Sequence, residues 1–578
     1  MRAVLLALLA LPATLAAQDT VIVIRPESSG VSIEARDLPQ AVVEAAIRFY
    51  NASGTARLSG RTSLPAGAVW RGDVAVRTGP VTLAGRLEGS LLVVNGDLTL
   101  AAGAEVTGSA LVVGGGATGV DSARVGEGIR VYASPLFYRI EGDTLVHAPG
   151  LARRLRGLAA RQSWDIADSR VSLLLATGGT YNRVEGLPIV GGPVFDLRVT
   201  RGTRLKIDIL GMFRTGGQAA GEGADLGFMV RGELRRGEVT GYGIGARAYD
   251  AVTPIEDWTL HANEVGWATF LFHRDYRDYY HNLGYAFRVF AQPARQLVLG
   301  AEVQYDRHRS APTNDPIALL RNDENWRPNP PIDNGHYLTF SGSATYDTRN
   351  DRWDPTSGTF IRATVETSGS DDVAPYPGVP PEVRDSLPGA GYRFWRLWLD
   401  ARQYARLTQS ARMNVRLVAG GWVGGDPLSL QRRLSVGGAD PFPGYPFRYR
   451  TCSNGVTDSI LIGAHAALCD RVLLFQAEFR GHASLRWVYD PDRDGDGGSG
   501  LLAAWVDGLD VVLFANAGTG WLVGEGPGRH AANAIPPLDS WLADLGVGLD
   551  WGGLGIYAAK SIASDEPARM ALRLTHRF

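Results

Sequence analysis

No apolar run in this sequence approaches the ~20 residues that a helix needs to cross a bilayer. A helical membrane anchor is thereby excluded. Charge is nearly balanced, with a net of -2 over 578 residues. That balance gives no electrostatic reason to expect a nucleic acid partner. Cysteine is almost missing: Cys452 and Cys469 stand alone. Only His465 lies between them and no ligand spacing repeats, which disfavours a metal site. In an exported chain the two are expected to pair, with two unpaired thiols as the alternative. No glycine-rich phosphate loop is present, because the Gly-x-Gly strings sit in β repeats and turns rather than before helices. His261, His273, His281, His308 and His336 lack the Asp or Ser motif that a barrel-mouth hydrolase requires, so no enzymatic activity is expected.

What is present begins with Met1–Ala17. Arg2, the apolar run Val4–Leu11, Pro12 and Thr14-Leu15-Ala16-Ala17 have the order of an export signal, and the mature chain is expected to start near Gln18. No cysteine follows the cleavage site, which leaves a lipoprotein unsupported. An exported chain without a spanning helix can still occupy a membrane by closing a sheet on itself. The last residues suit such a sheet: Leu572, Leu574 and the terminal Phe578 make an apolar alternation ending on an aromatic, an expected assembly signal and seam strand. Abundant Gly (72), Tyr (20) and Trp (14) suit turns and interfacial girdles.

Residues 18–54 read as a short α/β lead, with a strand at Val21–Ile24 and a helix beginning at Asp37 and running through Ala41–Tyr50. Residues 55–130 carry an internal repeat. Gly67, Gly85 and Gly103 recur every eighteen residues, each followed by an aliphatic strand: Val74–Val76, Leu91–Val94, Leu111–Val113. A coil of that length cannot bury its apolar side chains alone, so stacking must supply the core. The segment resembles bactofilin-like β-helical repeats; an antiparallel meander is the alternative. Residues 131–170 form a linker, where Arg153, Arg154, Arg156 and Arg161 beside Leu151, Leu155 and Leu158 suggest a basic amphipathic helix over 151–162. From 171 to 578, alternating strand-like runs predict an all-β fold: an antiparallel transmembrane barrel of roughly 16 strands, with short and long connections in turn. The alternation is unclear around 249–282. There Asp275–Tyr280 reads as a girdle or strand end.

Ala344-Thr345-Tyr346-Asp347-Thr348-Arg349-Asn350-Asp351, continuing to Pro355-Thr356-Ser357-Gly358-Thr359-Phe360, closely resembles a signature of the bacterial surface antigen superfamily of outer-membrane barrels. That superfamily includes the barrel-assembly insertase and two-partner secretion transporters. The resemblance implies that Asp347 and Arg349 pair at the barrel rim. Ser435-Val436-Gly437-Gly438 and Phe442-Pro443-Gly444-Tyr445-Pro446-Phe447 resemble the family's loop that tucks an Arg-Gly-aromatic motif into the lumen. Gly444 and Tyr445 match the motif, but Pro443 stands where the arginine would be and offers none of its donors. Glu478 matches the strand acid that such an arginine meets, and Arg448 or Arg450 is a candidate to replace the charge. Tyr181–Leu187 resembles the approach to the first barrel strand. Periplasmic POTRA modules, usual ahead of these barrels, have no counterpart in 55–120.

The resemblance implies a place in the bacterial outer membrane, with a periplasmic N-terminal domain, and a role in protein insertion or translocation. Expected partners are outer-membrane lipid, the barrel-assembly machinery during biogenesis, and client proteins or a periplasmic partner. A passive channel or structural protein anchored through the β-helix is the alternative. No cofactor is expected, apart from a weak Ca²⁺ site at Asp490, Asp492 and Asp494. The carboxylates alternate there as in a calcium loop, but Leu501 occupies the closing position; a solvated acidic turn is the other reading.

Overall fold

The structure is a computed structural model. It describes residues 40–578 except 133–135, 137, 142–143, 148–158, 167–168, 217–225, 238–239, 350–354, 375–390, 409–410, 453–467, 483–508, 526–527, 552 and 575. The signal segment, the strand at 21–24 and the acidic turn at 490–497 therefore lie outside the described residues.

The predicted β-helix is present. Three parallel sheets wind through residues 56–132, with successive strands of the first at Ala56–Ser59, Val74–Arg77, Leu91–Val94, Ala110–Val113 and Ile129–Tyr132. The register pairs Ala56 with Val74, Val74 with Leu91, Leu91 with Ala110 and Ala110 with Ile129. Coils thus differ in length by a residue or two, and the strict eighteen-residue repeat is not kept; the turns absorb the difference while the strands stay in register. Val76, Leu83, Leu87, Val93, Leu98 and Val112 fill the interior. At one corner the coils touch through glycine: a Cβ on Gly96 or Gly115 would stand 2.0 Å from the carbonyl oxygen of the glycine one coil below. Helix α1 (Gln40–Asn51) covers the outer face of the first sheet, burying Val42, Val43, Ala46 and Tyr50 against Ala75, Leu92, Val94 and Val113.

An antiparallel sheet follows. Its first half comprises β1 (Ala159–Ile166), β2 (Ser169–Thr177), β3 (Pro188–Thr200), β4 (Thr203–Arg214), β5 (Leu226–Arg236), β6 (Gly241–Pro254), β7 (Tyr279–Ala294) and β8 (Leu297–Ser310). The second half comprises β9 (Gly335–Asp347), β10 (Gly358–Ser370), β11 (Tyr392–Arg406), β12 (Ala411–Gly425), β13 (Arg471–His482), β14 (Leu509–Val523), β15 (Leu542–Trp551), β16 (Leu554–Ser561) and β17 (Arg569–Arg573). Each strand pairs with the next, and the two-residue strand Arg529–His530 adds in parallel to the end of β14. Strand β1 replaces the C-terminal part of the expected basic helix. Its backbone groups pair along β2, from Ala159 opposite Ala176 to Ile166 opposite Ser169, which outweighs the helix preference of Ala-Ala-Arg-Gln. The sheet therefore starts at 159 rather than 171, and its strand number is odd.

Period-two alternation sets the two faces. Outward stand Leu173, Leu175, Ile209, Phe213, Phe228, Phe287, Phe340, Leu397, Phe475, Leu513 and Val547, all substantially exposed. Inward stand Asp208, Arg214, Asp306, Asp400, Arg416, Glu478, Arg480, Asp544 and Asp550, all buried. An apolar exterior over a polar interior is the pattern of a barrel in lipid, where every backbone group must pair within the sheet. Connections at one end are mostly short (201–202, 237–240, 295–296, 407–410, 552–553), with 348–357 and 483–508 the longer ones; at the other they are longer (178–187, 215–225 and 562–568, then 255–278, 311–334, 371–391, 426–470, 524–541).

Candidate functional site in the lumen and at the seam

Two of the long connections, 255–278 and 426–470, carry buried segments within the barrel. The segment 255–278 carries helix α2 (Ala262–Phe272), opened by a capping box in which His261 and Glu264 satisfy each other's backbone donors. Beside this helix the chain crosses the lumen. Trp258 packs on Trp398 at 5.5 Å between ring centres, and its carbonyl accepts from Arg416 at 3.1 Å. Asp275, Arg277 and Asp278, expected at an interface girdle, are instead buried inside the barrel. Three guanidinium groups meet the Asp278 carboxylate: Arg183 at 2.6 Å, Arg327 at 2.6 Å, and Arg448. Burial alone would push this carboxyl up; Arg448, Arg327 and Arg183 outweigh it and hold the group well below the ordinary carboxylate range. The segment Tyr181–Leu187 that supplies Arg183 lies between β2 and β3, and so follows the first strands instead of leading into them. Glu256 accepts from the Ser435 backbone and hydroxyl, and here burial wins: its carboxyl is raised despite Arg448 nearby.

The described parts of the connection between β12 and β13, residues 426–452 and 468–470, lie inside the lumen, as the family resemblance implies for 435–447. Leu428, Gln431, Arg432, Leu434, Val436, Phe442 and Tyr445 are all buried. Gly437 and Gly438 adopt positive φ at the bend that leads to the tip. At the tip the Gly444 N–H donates to Asp544 at 2.7 Å, and the Tyr445 hydroxyl exchanges hydrogen bonds with the Ala543 backbone at 3.0 and 3.1 Å. A Cβ at Gly444 would stand 2.8 Å from that of Asp544, so only glycine admits this approach. Pro443 is buried beside it. Neither candidate arginine replaces the missing charge at Glu478. Arg448 is drawn to Asp278 and Glu256, and Arg450 donates to the carbonyls of Gly520 and Ser540. Glu478 instead accepts from its strand neighbour Arg480 and from Asn414 at 3.1 Å. Arg480 reaches on to Asp550 at 3.2 Å and to the Tyr557 hydroxyl at 3.1 Å. Cys452 and Cys469 are joined by a disulfide, and Cys469 pairs with Leu434 through both backbone bonds.

The rim signature is formed. Arg349 grips Asp347 through two bonds of 2.9 and 2.8 Å and lies 4.5 Å over the Phe360 ring. Thr348 exchanges bonds with Thr359, and Gly358 turns with positive φ where a Cβ would meet the Thr348 carbonyl at 2.4 Å. The carbonyl of Pro355 accepts from Arg412. Among the candidate histidines, His281 contacts Asp250 at 2.9 Å, His336 contacts Asp372, and His273 stacks on Trp326. His308 sits between Tyr280 and Tyr337, while His261 caps α2. They occupy separate places.

The C-terminal expectation needs correction. Leu572 lies on β17 with its side chain outward, but β17 ends at Arg573, and neither Leu574 nor Phe578 continues the alternation. Glu264 of α2 accounts for this. Its carboxylate takes Arg573 Nε at 2.8 Å, Arg573 Nη2 at 3.2 Å and the Leu574 N–H at 2.9 Å. Pulled inward, the last residues enter the lumen: Phe578 is buried, and Arg577 lies 3.8 Å over the Phe514 ring and donates to Asn516 at 2.9 Å. Sequence reasoning missed Glu264, Arg573, Arg183 and Asp278. Of these only Glu264 carried a local signal, its spacing of three from His261.

The seam follows from strand directions. Arg569 of β17 pairs with Ala559 and Arg573 with Gly555, so β17 runs the same way as β1, toward the short-turn end. An odd antiparallel sheet can close only through one parallel pair, and no pairing joins β1 to β17 among the described residues.

No curated protein matches the chain. Solved structures are similar over most of its length at low identity. BamA from Haemophilus ducreyi lacking POTRA domains 1-3 has a TM-score of 0.39 at 12% identity, covering 75% of this chain and 79% of that one. CdiB from Acinetobacter baumannii has 0.30 at 10%, covering 75% and 69%, and CdiB from Escherichia coli 0.32 at 12%, covering 73% and 68%. The family model of the Omp85 superfamily domain matches residues 252–553, more than half of the sequence and all of it within the barrel. The chain belongs to the Omp85 superfamily, a family of outer-membrane barrels that act in protein insertion or translocation.

Proposed function

We propose that this barrel inserts or passes polypeptide chains at the outer membrane by offering them the seam between its first and last strands. The observation that carries the reading is that seam: β17 has only five residues, its end is drawn inward by Glu264, and no partner pairs with its outer edge among the described residues. An unpaired edge is a template for another strand. The passive-channel alternative is less well supported, because loops cover the lumen-facing groups Gln476, Glu478, Asp544 and Asp550, each at most 1% exposed. No catalytic step and no cofactor enter this reading.

The N-terminal solenoid would stand in the periplasm, available to a partner there. The test is reconstitution of the full chain in liposomes together with an unfolded outer-membrane barrel protein. Faster acquisition of protease resistance by that client, without a steady large conductance in planar bilayers, supports the proposal. A steady open pore with no effect on client folding overturns it.

A further inference from the structure

Strand β1 has no place in a barrel of even strand number. Without it, β2 and β17 run antiparallel and could close the sheet directly. With it, the edge of β2 that β17 would need is occupied from Ser169 to Ala176 by residues 159–166. The occupant has the character of a membrane strand. Ala160, Gln162, Trp164 and Ile166, apolar apart from Gln162, share an exposed outward face, opposite Leu175, Leu173, Val171 and Ser169. Inward, the Ser163 hydroxyl meets that of Ser172 at 3.0 Å. Residues 167–168 alone join β1 to β2, so β1 is held by a hairpin at one end and meets no strand on its other edge among the described residues. A strand bonded on one side only is the least costly in the sheet to remove.

We infer that Ala159–Ile166 is a resident occupant of the β2 edge. It is exchanged for an extended strand of the same chemistry, one that alternates mainly apolar lipid-facing with polar lumen-facing side chains and runs antiparallel to β2. This rests on the seam reading above and adds its regulation: the site is filled in cis until a client strand displaces β1. Covering the edge also keeps β2 from pairing indiscriminately between clients.

The test uses the full chain in detergent and then in liposomes. Ser163→Cys with Ser172→Cys locks β1 to β2 by a disulfide formed after folding and reversed by reductant. The probe is a synthetic peptide of residues 159–166 with a photoreactive group in place of Trp164. The expected result is a peptide adduct on Ser169–Thr177 in the reduced protein, lost on oxidation and regained on reduction. Trp164→Lys, which puts a charge on the lipid face of β1, should raise the adduct above that of the unmodified protein. An adduct indifferent to the lock, or absent in both states, overturns the inference. Client insertion that proceeds equally with β1 locked also overturns it while leaving the insertion function standing. Lock-sensitive peptide exchange without client insertion in any form supports the exchange of β1 and defeats the insertion function.

Discussion

Substitution of Glu264 by Ala tests the inward turn of the C-terminus. The carboxylate accepts from Arg573 at two positions, from the Leu574 N–H at 2.9 Å and from the His261 N–H at 3.2 Å. Side-chain exposure is 5% for Glu264 and 4% for Arg573, so water cannot take over these bonds. Removing one member of such a buried pair costs about 3–5 kcal/mol, and Asp440, 3.9 Å from Arg573, is too distant to replace the lost hydrogen bonds. Local opening of the β17 end should therefore become about 10²- to 4 × 10³-fold more frequent, since each 1.4 kcal/mol is a factor of ten. Glu264→Gln keeps an acceptor and should lose less, about 1.5–3 kcal/mol. Arg573→Met combined with Glu264→Ala should be less disruptive than the sum of the two single changes. Hydrogen exchange of peptides covering 569–574, measured in nanodiscs, reads the opening directly. A loss of protection in Glu264→Ala below about tenfold, the level of a solvent-exposed pair, would refute the latch.

Gly444→Ala should dislodge the loop tip at a cost of about 1–3 kcal/mol, seen as new protease cleavage within 435–450, because a Cβ there has no room beside Asp544. Acidification should act on the plug in two opposite steps. The Glu256 carboxyl is raised in the folded protein, so protonating it as pH falls toward its ordinary value of 4.5 should tighten the plug. The Asp278 carboxyl is depressed, so its stabilisation is complete above its ordinary value of 3.8 and drains away progressively as pH falls from there to the lower folded value. Heat-modifiability on gels across pH should show both steps, and Glu256→Gln should abolish the first alone. Gly96→Ala should disrupt coil stacking and remove the thermal transition of the solenoid while the barrel keeps its own. Cys452 and Cys469 should resist alkylation until the protein is reduced.

Much of the architecture could be read before any coordinates, because two periodicities announced it. Period-two alternation from Val171 onward marked the sheet, and glycine spacing at 67, 85 and 103 marked the solenoid. Both are local patterns repeated many times. The family resemblance added the loop at 435–447, whose place in the lumen no local propensity dictates. What stayed hidden depended on distant partners. Residues 159–162 look helical until β2 offers its edge. Phe578 looks like the end of an outward alternation until Glu264, more than 300 residues earlier, draws Leu574 inward. Asp278 looks like part of an aromatic girdle until Arg183, Arg327 and Arg448 converge on it from three separate connections. The charge that Pro443 cannot bring to Glu478 comes from Arg480, which an eye on the loop alone would pass over.

The most direct test of a seam that receives polypeptide is photo-cross-linking in growing cells. A photoreactive residue is placed at Leu572, on the outer face of β17, and in a second variant at Val365, on the outer face of β10. Adducts with unfolded outer-membrane β proteins from position 572 and none from 365 are the expected result. Equal adducts from both positions, or none from 572, would contradict it.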